Sequence, residues 1–205
     1  MKLTIRILLC MAVAAMIATS CGNRKGSKNQ NAAPAEPEAV LSVTDCYFQA
    51  IDRYFTDEVV SQYAPADISI TYHDYASVDD SNPSDIQVLG DFWVENYNIV
   101  DDTLMFVSGG GHPGKVHVKK GSDGAFFVPG MDAVGDGSDF LPTAKAIFGE
   151  RFDDFQKAYS DQTLRENVRK TAISGYVFRN KLGVKYYKDY GWPAVRIPSL
   201  EDSSR

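Results

Sequence analysis

Four residues at alternate positions, Asp91, Trp93, Glu95 and Tyr97, hold the densest chemistry in the sequence. On an extended strand a spacing of two sets all four on one side. Two acids and two aromatic rings on one surface can read a sugar, through ring stacking and hydrogen bonds to hydroxyls, or hold a cationic ligand. The plainer reading of the same pattern is a half-exposed sheet face. His73 and His112 supply the other reactive groups. Either imidazole would form a general acid–base pair with Asp91 if the fold brought them into one cavity beside Trp93.

The stretch Ser108-Gly-Gly-Gly-His-Pro-Gly114 is the most unusual in composition. It lacks the Gly-Lys-Ser/Thr of a phosphate cradle, and Val116-His117-Val118 continues it as a strand, not as a helix whose N-terminus would hold an anion. Ser108 is not in a Gly-x-Ser-x-Gly nucleophile elbow, since Phe106 stands at the first glycine position. Residues 109–114 are expected to form a loop whose glycines serve a sharp, structural connection. His73, His112 and His117 are the only histidines, with no helical His-x-x-x-His and no cysteine pair, so neither a metal site nor a cofactor is expected. Residues 132–139 are rich in oxygen ligands but lack the alternating acids and closing glutamate of a calcium loop. Capping of the next helix by Ser138 or Asp139 accounts for them.

The elements that must position these groups follow from periodicity. Val43, Tyr47, Ile51, Tyr54, Phe55 and Val59 recur at helical spacing, from a Ser42 cap to about Tyr63, with Pro65 as the stop. Ile68, Ile70 and Tyr72 then alternate with polar residues, as in a strand covered on one face. Residues 86–99 are apolar on both faces, which predicts a central strand covered twice, with a bulge or bend at Gly90. Asp101-Asp102 and residues 121–124 read as turns, so residues 68–134 form an antiparallel meander. Helices return at Pro142 and over residues 161–181. The second is expected to present Leu164, Val168, Ala172 and Tyr176 to the core and to end at Gly183. Tyr186, Tyr187, Tyr190 and Trp192 imply that the last segment docks. The fold class is α+β: an antiparallel β-meander packed with an N-terminal helix and two C-terminal helices. In outline this order resembles the cystatin-like and nuclear-transport-factor-like folds, which wrap a sheet round a helix.

The first 46 residues are a different polymer: none of the 24 Phe, Tyr and Trp residues precedes Tyr47. Lys2 and Arg6 are followed by an apolar run over 7–17, too short to span a bilayer but the length of a signal core. Ala18-Thr19-Ser20-Cys21 resembles the lipobox of bacterial lipoproteins, which implies a signal peptide over 1–20 and diacylglycerol on Cys21. Gly22-Asn23 carries no acid. By resemblance to lipoprotein sorting signals this implies a Gram-negative outer-membrane lipoprotein facing the periplasm. Residues 21–40 then form the lipidated cysteine and a flexible tether, and residues 41–205 a single α+β domain. Cys46 is the one thiol left in that domain and is expected to be buried and inert. The stretches 90–97 and 108–114 are similar to a group of uncharacterised bacterial lipoproteins that brings no known activity.

Charge is segregated as well. Residues 41–142 hold 17 acids and 4 bases, whereas residues 143–205 hold 8 acids and 12 bases. Opposite halves of one fold attract each other, and that is the simplest use of the pattern. A formal net charge of −6 excludes a nucleic-acid binder. The reading that results is a lipid-anchored envelope binding or interaction protein without catalysis. It would be held to the membrane by its N-terminal lipid and take an envelope protein or glycan as partner. The alternatives are a small hydrolase or isomerase using a His/Asp pair and a structural accessory subunit of an envelope complex.

Overall fold

The computed structural model describes residues 43–198, with side chains from Tyr47 onward. The signal segment, Cys21, the tether and the thiol of Cys46 lie outside what is described. Helix α1 (Val43–Tyr54) runs on through a π-type turn (Phe55–Val59) and a 3-10 turn (Val60–Gln62) before Tyr63 turns extended. Its apolar positions recur every three or four residues. Tyr47, Ala50, Ile51, Phe55 and Val59 are all buried on one stripe.

Strands β1 (Ile68–Asp79), β2 (Ile86–Val100), β3 (Thr103–Lys120) and β4 (Phe126–Ala133) form the expected antiparallel meander. Asp101 takes a left-handed φ of 54° in the β2–β3 turn. Strand β5 (Tyr186–Lys188) joins the sheet parallel to the start of β3, and β6 (Val195–Arg196) pairs with β5, so the six-stranded sheet is mixed. β2 lies inside the sheet, between β1 and β3, and is buried on both faces down to Tyr97. The expected irregularity at Gly90 falls on the strand opposite, where the β1 register slips between Tyr75 and Ser77. A Cβ on Gly90 would stand 2.5 Å from the Asp74 carbonyl oxygen, so the bulge presses against a residue with no side chain.

The expected loop over residues 109–114 is corrected. The whole segment lies inside β3 and pairs with β2 from Glu95↔Gly109 to Gly90↔Gly114. Glycine serves close packing here. A Cβ on Gly111 would meet the Trp93 ring at 2.8 Å, and one on Gly114 would meet the Asp132 carbonyl at 2.4 Å.

The C-terminal helical region is α2 (Phe140–Phe148), α3 (Phe152–Ser160) and α4 (Gln162–Arg179). The first expected helix is broken at Gly149, which has φ 51°. Ala144, Phe148 and Phe155 carry its buried stripe, and Ala146 is exposed. The expected side-chain cap by Ser138 or Asp139 is not made. Thr143 Oγ1 instead accepts from Gly135 N at 2.8 Å and donates to the Asp139 carbonyl. Asp161 caps α4 by accepting from Leu164 N at 3.0 Å. The helix ends at Arg179, four residues before Gly183, and Lys181 takes the left-handed φ of 52° just beyond the cap. Leu182 N donates to Val177 O and Lys181 N to Phe178 O there, the paired bonds of a Schellman cap.

β2 divides the core in two. Its even residues Ile86, Val88, Phe92 and Val94 pack with α1, Val116, Val118 and Phe126. On the odd face Leu89 joins Val134, Ala144, Phe148 and Phe155 at one end. At the other end Tyr97 joins Ile70, Leu104, Ile173 and Tyr187. Between these two apolar clusters, on the same face, stand Asp91, Trp93 and Glu95.

Candidate functional site

Asp91, Trp93, Glu95 and Tyr97 share one face of β2, as their spacing requires. The cross-strand register adds Tyr72, which pairs with Trp93. The two rings are parallel within 3°, with centroids 6.0 Å apart. On β3, Gly111 pairs with Trp93 and leaves room for the indole. Helix α4 covers this face with Arg165 and Arg169, four residues and so about one turn apart.

Arg169 holds the site together. Its Nε donates to Glu95 Oε2 at 2.9 Å and its NH2 nitrogen to the Tyr97 hydroxyl at 3.0 Å. Both terminal nitrogens also grip the Asp189 carboxylate, at 2.7 and 2.6 Å. The guanidinium lies over the Tyr187 ring, 4.9 Å from its centroid. Burial alone would lower the basicity of Arg169, but its bonds to Asp189 and the charge of Glu95 overcome this and hold it cationic. Glu95 is 5 % exposed and accepts from Tyr72 at 3.1 Å and from Tyr97. Burial raises its carboxyl, and Arg169 with the two phenols pulls it back. The same burial, next to the Glu95 charge, pushes both phenols far above their ordinary range.

Asp91 is set differently. Its Oδ2 accepts from Trp93 Nε1 at 2.7 Å, while the buried Oδ1 has no partner among the described residues. Burial pushes its carboxyl up to about 6, against the pull of the Trp93 bond and of Arg165. Arg165 lies over the Trp93 ring at 5.4 Å and over Tyr159 at 5.5 Å, and donates to the Tyr159 carbonyl.

A cleft of about 240 Å³ opens between Tyr72 and Trp93 on the sheet and Gln162, Arg165 and Glu166 on α4, with the Glu95–Arg169 pair also lining it. That is smaller than a drug-sized pocket of roughly 300–1,000 Å³ and suits a single small polar unit.

The two candidate histidines are placed elsewhere. His73 and His112 both pair with Phe92, so they sit on the α1 face, with the sheet between them and Asp91. His73 packs against Tyr75 and Phe92, its Nε2 3.6 Å from an Asp52 oxygen, and burial pushes its imidazole down to about 4. His112 Nε2 is 2.9 Å from the Tyr63 hydroxyl and burial lowers its basicity too. The acid–base pair that the sequence allowed is therefore not assembled. His117 bridges Asp85 at 2.8 Å and Asp132 at 3.2 Å, fastening the start of β2 to β3 and β4. Among the described residues no group of three or more His, Cys, Asp or Glu side chains is arranged for a metal ion.

Sequence reasoning missed Tyr72, Gln162, Arg165, Glu166, Arg169 and Asp189 as members of this site. One signal was present. A basic C-terminal helix facing an acidic sheet had to place some arginine on Glu95 or Asp91, and positions 165, 169, 173 and 176 form a stripe beside the apolar one. Comparison with known proteins adds no relative: no family model, no curated protein and no solved structure matches the chain.

Proposed function

We propose that this chain is a lipid-anchored cell-envelope binding or interaction protein without catalysis, and that the Tyr72–Trp93 cleft is where its ligand sits. The observation that carries the reading is how the charged groups beside the cleft are committed. Glu95 and Arg169 are spent on each other, on Tyr97 and on Asp189, so they hold α4 on the sheet. Gln162 and Arg165 line the cleft with the two rings, Arg165 through its face on Trp93, and Glu166 lines it while accepting from the Tyr187 hydroxyl and pairing with Lys170. Flat aromatic faces, an amide and one charge of each sign suit a small polyhydroxylated unit, such as one sugar of an envelope glycan.

The separation of His73 and His112 from Asp91 removes the support that the hydrolase or isomerase reading needed. The interaction side of the proposal draws on the β5–β6 hairpin. Its tip carries Tyr190, 95 % exposed, and Trp192, 71 % exposed, and rings this open on a surface favour a protein partner. The segment docks as expected, through Val184, Tyr187 and Ile197, while the Tyr190 and Trp192 rings stay outside the packing.

The anchor rests on the lipobox resemblance at Cys21. No helix among the described residues is long and apolar enough to cross a membrane. Cys21→Ser is expected to abolish labelling by a fatty-acid probe in cells, and persistent labelling would refute the anchor. For the cleft, an array of envelope glycans is expected to give binding that Arg165→Ala removes and Trp192→Phe keeps. An array on which wild type and Arg165→Ala bind alike would refute the site.

A further inference from the structure

A second and larger cavity, about 670 Å³, lies where the C-terminal end of α4 meets the β5–β6 hairpin. Its chemistry differs from that of the cleft. Val184 and Ile197 are buried at its base. Leu182 and Phe178 add apolar surface, and Phe178 is 63 % exposed. Lys181, Lys185 and Arg196 bring three cations to the lining and no carboxylate lines it. The Lys185 ammonium reaches Asp102 only at 3.6 Å, through two well-exposed side chains, so that pair is weak. Lys181 forms no ion pair among the described residues, and it holds the left-handed position of the helix cap where glycine is favoured.

An apolar trough with cations at its surface and no carboxylate in its lining complements a molecule with an apolar tail and an anionic head. We propose that this groove binds a linear-chain carboxylate, a free fatty acid, with its tail on Phe178, Leu182 and Val184 and its head between Lys181 and Lys185. The volume lies within the range of sites that bury most of a small ligand. The tail supplies affinity in proportion to the methylenes removed from water, and the ammonium groups select the sign of the head.

The test is calorimetric titration of the full chain with octanoate, decanoate and dodecanoate, each below its micelle concentration. Each added methylene is expected to tighten binding by about fourfold. Dodecyltrimethylammonium, with the same tail and opposite charge, is expected to bind at least about tenfold more weakly than dodecanoate. Lys181→Glu with Lys185→Glu is expected to weaken dodecanoate by about tenfold or more, with the unfolding midpoint confirming that the variant folds. Phe178→Ser, at an exposed position, is expected to flatten the chain-length dependence. The proposal is overturned if the ammonium amphiphile binds as well as the carboxylate or if the double variant keeps full affinity. It is equally overturned if no fatty acid binds, or if an apolar peptide ending in a free carboxylate binds more tightly than dodecanoate.

Discussion

Arg169 Nε donates to Glu95 Oε2 across 2.9 Å, and through this bond the last long helix is fastened to the interior strand β2. Both side chains are nearly closed off from water, at 11 % and 7 % exposure, so neither charge can be left alone cheaply. Two apolar clusters flank the pair on the same sheet face, and the Tyr72–Trp93 cleft opens beside it. The polar centre is therefore a structural clamp that also sets the distance between Trp93 and Arg165.

Removing one member of the clamp strands the other. Arg169→Met is expected to lower unfolding free energy by about 3–5 kcal/mol, since it leaves Glu95 buried without its cation. Adding Glu95→Gln to Arg169→Met is expected to recover part of the loss, because the remaining group is neutral and still accepts from Tyr72 and Tyr97. Denaturant titration of the three variants checks both statements, and additive losses would contradict the clamp.

Asp91 gives a pH dependence of defined sign. Its carboxyl titrates near 6 in the folded chain against 3.8 for the free group. Between those values the folded state binds more protons than the unfolded one, so this group's contribution to stability falls as pH rises from about 4 to 6. Asp91→Asn removes that fall and keeps an acceptor for the Trp93 indole. The variant is expected to match wild type near pH 4 and to exceed it above pH 6 by on the order of 2 kcal/mol. His73 works in the opposite sense. Its folded imidazole titrates near 4 instead of 6.5, so its contribution rises with pH over that window. The difference between variant and wild type isolates Asp91, and a difference that stays constant from pH 4 to 8 would contradict the assignment.

The glycines of β3 and β4 separate by what surrounds them. Gly114→Ala would drive a methyl to 2.4 Å from the Asp132 carbonyl oxygen, a backbone atom that cannot step aside. A loss of about 1–3 kcal/mol is expected, as for overpacking elsewhere. Gly130→Ala meets nothing within 4 Å and is expected to be neutral or slightly stabilising. Thermal unfolding of the pair would falsify the strand assignment of residues 109–114 if both were tolerated equally.

The α+β class and the meander were legible because local patterns decide them: period two in β1, a run apolar on both faces in β2, period 3.6 in α1, and turn residues at 101–102 and 121–124. The face shared by Asp91, Trp93, Glu95 and Tyr97 was legible for the same reason. The glycine run was misread because a strand that tolerates no side chains looks, in one dimension, like a loop. Its cause is Trp93 and Asp132, which only the fold brings alongside. The histidines were misassigned because one residue of strand parity decides the face, and Phe92 rather than Asp91 is their partner in register. Arg169 and Asp189 met Glu95 through long-range packing, for which charge segregation was the only hint.

The most direct test of the account is a titration of Trp93 emission, in a Trp192→Phe background, with soluble envelope glycan fragments, followed by mass analysis of the recovered ligand. The account predicts a saturable change in emission, its loss in Arg165→Ala, and ligand recovered chemically unchanged after prolonged incubation. A fragment that leaves Trp93 unaffected at every concentration, or one that is recovered cleaved or isomerised, would contradict a binding protein without catalysis at this cleft.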